Sequence, residues 1–126
     1  MRIYKLKGFA RFQRRERIKD AALAKAVSGA EAGQVDADLG GGLIKQRVAR
    51  TGQGKSGGFR TIIAYRRGDR GVFLYGFAKS GRDNIDDDEL EAWRDIGRRY
   101  LDLEADQIAA AIAANELTEV SNDEDN

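Results

Sequence analysis

The 126-residue chain has no cysteine, no proline and no histidine, and a single methionine and tryptophan. Without cysteine there is neither a disulfide framework nor a thiolate metal site. Without histidine the side chain that ordinarily exchanges protons near neutral pH is missing. Proton transfer would fall to Lys, Arg, Asp or Glu. No stretch approaches the roughly 20 apolar residues of a membrane-spanning helix. The opening MRIYKLKGFARF lacks the apolar centre of a secretory signal, so the cytoplasm is the expected location and no membrane partner is expected. The length suits one domain with a modest core. With 34% charged residues and no proline, a compact and highly soluble protein is expected.

What the chain has is charge in blocks. The net charge of +1 conceals +4 over residues 1–42, +9 over 43–82 and −12 over 83–126. Segregation on this scale bears on partners more than pI does. The basic block is also the block with strand-like alternation, and a basic antiparallel sheet is a surface for a polyanion.

Along the chain, Ile3, Tyr4 and Leu6 form a short strand that Gly8 ends. Phe9, Phe12 and Ile18 share a helical face, with Arg11, Arg14, Arg15 and Arg17 on a solvated one. Asp20 is placed to N-cap a second helix that buries Ala22, Leu23, Ala26 and Val27 and ends at Gly33. Asp36 and Asp38, with no third ligand nearby, read as turn residues rather than a metal site. Gly40, Gly41 and Gly42 make a corner. In LIKQRV, Leu43, Lys45 and Arg47 point one way and Ile44, Gln46 and Val48 the other. In FRTIIAYRR, Arg60, Ile62 and Ala64 share a face opposite Phe59, Thr61, Ile63 and Tyr65. Residues 66–71 form a hairpin turn with left-handed backbone available at Gly68 and Gly71. VFLYGFAK reads as a central strand buried on both sides, and tight pairing brings Arg60 toward its end.

Between the strand-like runs lies ARTGQGKSGG. Gly54, Lys55 and Ser56 fit the end of a phosphate-binding P-loop, but Ala49 stands where its first glycine belongs. A strand follows where a helix is required, so nucleotide hydrolysis is rejected. The loop's amides and Lys55 still suit a phosphate backbone. Asp86, Asp87, Asp88 and Glu89 open a helix, where the macrodipole favours them over a metal role. Its apolar positions are Leu90, Trp93, Ile96, Gly97, Tyr100 and Leu101. Leu103, Ile108, Ala111, Ile112 and Leu117 form a further helical stripe, and SNDEDN is expected to be disordered.

GGLIKQRVAR, GQGKSGGFRTIIAY, VFLYGFAKSGRDNI and DDDELEAW, in this order, resemble the RelE superfamily of bacterial type II toxins, particularly its HigB-like branch. The resemblance covers residues 1 to about 92. It implies an α+β fold with an antiparallel sheet of about four strands, an N-terminal helix pair and C-terminal helices. Residues 1–101 would be the toxin domain, and 102–126 an acidic helical extension with a disordered tail. It also implies an endoribonuclease acting on messenger RNA in the ribosomal A site, silenced by a cognate antitoxin, with no cofactor or metal. By motif, the catalytic positions fall on Lys45, Arg47, Arg60 and Lys79, and RNA-binding positions on Lys55, Arg50 and Arg82. The catalytic tyrosine some relatives carry after the last basic cluster is missing; DNIDDDEL stands there.

These residue types have a chemical logic. Lys and Arg are charged when unperturbed and suit electrostatic stabilisation better than base catalysis. Arg60 and Lys79 would clamp the scissile phosphate. Lys45 and Arg47 would hold flanking phosphates or assist proton transfer, and Lys55 the backbone or ribosomal RNA. Two other readings stand beside this one: a gyrase poison of the ParE type on the same fold, and a non-catalytic nucleic-acid-binding module. Phe59, Tyr65, Phe73, Tyr75 and Phe77 are read as core rather than as base-stacking surfaces. An acidic antitoxin segment folding on contact would cover the basic groups, or the chain's own acidic tail would lie across the sheet.

Overall fold

Alternation of apolar side chains in the basic block puts one set of residues on each face of a sheet, so both faces need cover. In the computed structural model, which describes residues 1–49, 58–78 and 85–121, helices supply it. The order is β1 (Arg2–Leu6), α1 (Lys7–Arg15), α2 (Asp20–Glu31), β2 (Ala37–Gly40), β3 (Leu43–Val48), β4 (Phe59–Arg66), β5 (Arg70–Ala78), α3 (Asp87–Leu101), α4 (Ala105–Ala113) and β6 (Leu117–Glu119).

The strands form one sheet in the order β2-β3-β4-β5-β1-β6. The expected class holds, but the sheet is larger and mixed rather than four-stranded and antiparallel. β1 pairs parallel with β5, and β6 closes the edge antiparallel to β1. The expected helical stripe therefore stops short of Leu117. That residue is a strand residue, buried with Ile108 and Ala111 in the same core cluster as Tyr4 and Leu74. Residues 122–126 of the acidic end lie outside the described residues.

On one face Phe9, Phe12, Leu23 and Val27 pack on Ile44, Val48, Phe59, Ile63 and Phe73. On the other Tyr100, Leu101 and Ile108 pack with Leu43, Ile62, Ala64, Val72 and Leu74. Gly97 lets α3 approach closely: a Cβ there would sit 2.9 Å from Leu43 and 3.1 Å from the Ala64 methyl. Asp86 caps α3, its carboxylate accepting from the Glu89 amide at 2.9 Å.

Several local expectations give way to tertiary contacts. Asp20 is the first residue of α2, not its cap; Lys19 holds the cap position without a side-chain bond. The Asp20 carboxylate instead accepts from Lys5 Nζ at 3.0 Å, Gln13 Nε2 at 2.7 Å and the Ser121 amide at 3.2 Å. Asp38 lies within edge strand β2 rather than in a turn, and the Asp36 carboxylate accepts from the Arg47 amide at 2.6 Å. In the β4–β5 turn Gly68 has positive φ, whereas Gly71 is an ordinary strand residue. The run VFLYGFA carries a bulge: Ile63 pairs with Phe73 but Ile62 with Tyr75, leaving Leu74 as the extra residue. The isolated Gly76 in an apolar run is the sequence signal for it. There a Cβ would lie 2.5 Å from the Phe12 ring.

The Asp20 knot predicts acid sensitivity. Burial pushes the carboxyl up, but the hydrogen bonds from Gln13, Lys5 and the Ser121 amide outweigh it and hold the pKa below its usual value. A lowered folded pKa contributes stability above the unfolded value, and that contribution is lost as pH falls through the folded one. Melting temperature should therefore drop below about pH 4. Asp20→Asn should cost about 1–2 kcal/mol near neutrality and show a flatter melting curve against pH between roughly 2 and 5.

Candidate nucleic-acid interface

Strand register decides which basic residues meet. On the α3 side of the sheet, Arg47 lies opposite Arg60, which lies opposite Phe77. One row inward, Lys45 lies opposite Ile62 and Ile62 opposite Tyr75. The expected facing of both strands is observed: Leu43, Ile62 and Ala64 belong to the α3-side cluster, and Ile44, Val48, Phe59 and Ile63 to the other.

Arg60 is the unusual member. It is only 8% exposed, and its Nη1 is buried with no hydrogen-bond partner. Buried polar groups are nearly always paired, so an orphan guanidinium nitrogen points to a missing ligand. Arg47, its cross-strand neighbour, is exposed, and Lys45 is half-buried. Among the described residues no carboxylate forms an ion pair with Lys45, Arg47 or Arg60. Like charges directly opposite across strands destabilise a sheet. The arrangement costs stability and gains sense only with an anion between them.

The row is held rigidly from behind. On the other face of the same strands, Gln46 is buried and saturated. Its Nε2 donates to the carbonyls of Ala26 (2.9 Å) and Gln34 (3.2 Å), and its Oε1 accepts from the Asp36 amide (2.7 Å). The Thr61 hydroxyl donates to the Gln46 carbonyl at 2.8 Å. With the Asp36 carboxylate on the Arg47 amide, the backbone carrying both arginines is fixed by buried bonds.

The +9 block is not one surface. At the β4–β5 turn Arg66 donates to the Leu101 carbonyl (2.9 Å), and Arg70 to those of Tyr100 (3.1 Å) and Leu103 (2.8 Å). Arg67 donates to the Glu31 carbonyl at 3.3 Å. These three satisfy the carbonyl ends of α3 and α2, where cations oppose the helix dipole. Arg47 and Arg60 lie at the other end of the strands, roughly 20 Å away by strand length. There β3, β4 and β5 connect to residues 50–57 and 79–84. Arg50, Lys55, Lys79 and Arg82 fall in those two segments and lie outside the described residues. Of the seven expected site residues, Lys45, Arg47 and Arg60 are thus brought together on one face.

Among the described residues no group of acidic side chains has the arrangement of a metal site, and no helix is long and apolar enough to cross a membrane. The family model described as RelE toxin of the RelE / RelB toxin-antitoxin system matches residues 1–120. No curated protein matches the chain.

Proposed function

Because the chain belongs to the RelE toxin family, and is thus the toxin of a toxin–antitoxin pair, we propose that it is an endoribonuclease that cuts messenger RNA in the ribosomal A site. Within the family we assign it to the HigB-like branch, on GKSGGFR and YGFAKSGRDNI. The observation that carries the nuclease reading is the Arg47–Arg60 pair, with the Arg60 Nη1 buried and unsatisfied.

RNA cleaves when its 2′-oxygen attacks the adjacent phosphorus in line. The bond to the 5′-oxygen then breaks, leaving a cyclic phosphate and a new 5′-hydroxyl. Arg60 holds the non-bridging oxygens and stabilises the charge that develops on them, the kind of preorganised contact that contributes most to such reactions. Its buried position strengthens that interaction, since there is little water to screen it. Lys79 completes the clamp, Arg47 and Lys45 hold flanking phosphates or assist proton transfer, and Arg50, Lys55 and Arg82 hold the RNA backbone. With no histidine in the chain, the proton-transfer apparatus is weak, which fits dependence on the ribosome to align the 2′-oxygen. The cognate antitoxin neutralises the protein by covering the basic end of the sheet with an acidic segment.

The test is to map RNA 5′ ends in cells after brief induction, with Arg60→Ala as control. New ends inside translated frames that vanish in the control are the expected result. Growth arrest without new ends would shift the reading to gyrase poisoning. No effect would leave a binding module or an inactive toxin.

A further inference from the structure

Beside the arginine row stands an aromatic pair that phosphate binding does not use. Tyr75 of β5 and Trp93 of α3 are stacked, with ring centroids 5.5 Å apart and planes at 24°. Tyr75 also lies 5.9 Å from Phe77, the residue opposite Arg60. The three rings run from α3 to the arginine row. Tyr75 and Trp93 are half-buried, whereas Phe59, Phe73 and Phe77 of the same sheet are 5% exposed or less. The core reading thus fits those three phenylalanines and not Tyr75.

The bulge is what puts Tyr75 there. In a regular strand continuing from Val72, Tyr75 and Phe77 would fall on the α1–α2 face, because a one-residue slip turns every following side chain over. The extra residue at Leu74 restores both to the face that carries Lys45, Arg47 and Arg60. Bulges commonly re-aim side chains beside functional sites. Tyr75 shares its row with half-buried Lys45 and stands two positions from the Arg60 row, about 7 Å along the strand.

We infer that Trp93 and Tyr75 form a stacking platform for a nucleobase of the RNA strand whose phosphate Arg47 and Arg60 hold. The inference rests on the nuclease reading and adds a base-binding subsite to it. Every base presents a π-face, so such a platform orients the strand with little sequence preference. Half-exposed indole and phenol rings carry an apolar face together with a polar edge, which suits a surface that is wet until ligand arrives.

Trp93 is the chain's one tryptophan, so its emission reports the platform directly. The probe is a short oligoribonucleotide, 2′-O-methylated throughout so that it cannot be cut. Binding is followed separately by the anisotropy of a 5′-labelled copy. Emission of the wild type should be quenched with the same midpoint as the anisotropy. Trp93→Ala should weaken binding about tenfold while leaving the salt slope, which counts phosphate contacts, unchanged. Trp93→Phe, which keeps a π-face, should stay within about threefold of wild type. Trp93→Leu keeps apolar bulk without a π-face and should bind as Trp93→Ala does, separating stacking from packing. Binding by anisotropy without quenching, or equal affinity of Trp93→Leu and wild type, overturns the platform and leaves the phosphate clamp standing. Absence of any binding also overturns it, and new RNA ends in cells would then still support the nuclease.

Discussion

Arg60→Ala should lose cleavage by about 10²–10³-fold, the usual cost of removing one preorganised donor to a developing oxyanion. The same substitution should leave the melting temperature unchanged or slightly raised. Those two results rarely go together, because most buried side chains lost to alanine destabilise. Here the removed group has an unsatisfied nitrogen and faces a like charge on Arg47, so the fold gives up little when it goes. Rates on programmed ribosomes, set beside thermal melts of the same preparations, check both halves. Arg60→Lys sharpens the argument. It keeps the positive charge but not the planar fork that grips two phosphate oxygens together. It should recover only a small part of the lost rate. A lysine variant as fast as wild type would mean that charge alone matters; an alanine variant as fast would remove Arg60 from the mechanism. Arg47→Ala, at an exposed position, should cost less than Arg60→Ala.

The contrast between these arginines explains what is legible in the chain. Period-two alternation is a local property, so LIKQRV and FRTIIAYRR carry their own facing, and with it the grouping of Lys45, Arg47 and Arg60. The burial of Arg60 is not local. It depends on Phe77 across the strand pair, on α3 above and on the rigid Gln46–Thr61 layer behind. Likewise the ten basic residues from 43 to 82 read as one surface in sequence. Their division into a helix-capping end and a phosphate end appears only once α3 folds back over the sheet.

Misread elements share this cause. Asp20 has the chemistry of a cap, yet Lys5, Gln13 and Ser121 compete for its oxygens, one of them from a residue 101 positions away. β6 has three residues and acquires strand geometry from β1 rather than from its own composition. The parallel β1–β5 pair joins segments separated by most of the chain, which no window of local pattern reports. The bulge has a local marker in Gly76, but its purpose is legible only against the opposite strand.

Gly58→Ala should be the most damaging single methyl in the molecule. A Cβ at Gly58 would lie 2.1 Å from the Val48 carbonyl oxygen and 3.0 Å from its carbon. Those are main-chain atoms of the adjoining strand, so no rotamer change relieves the contact. Phe59, the next residue, pairs with Val48 and fills the core at 1% exposure. To admit the methyl, β3 and β4 must part at their last described pair, costing about 1–3 kcal/mol or somewhat more. Arg60 is two residues on and opposite Arg47, so the same opening displaces the phosphate clamp. The variant should therefore melt several degrees lower and cleave at least tenfold more slowly even where it is fully folded, since small misplacements of catalytic groups are costly. Denaturant midpoints and cleavage rates below the melting range separate the two effects. A Gly58→Ala protein of normal stability would show that the strands part freely here. One with lowered stability but a normal rate would show that Arg60 is positioned from β5 and α3 rather than from β3.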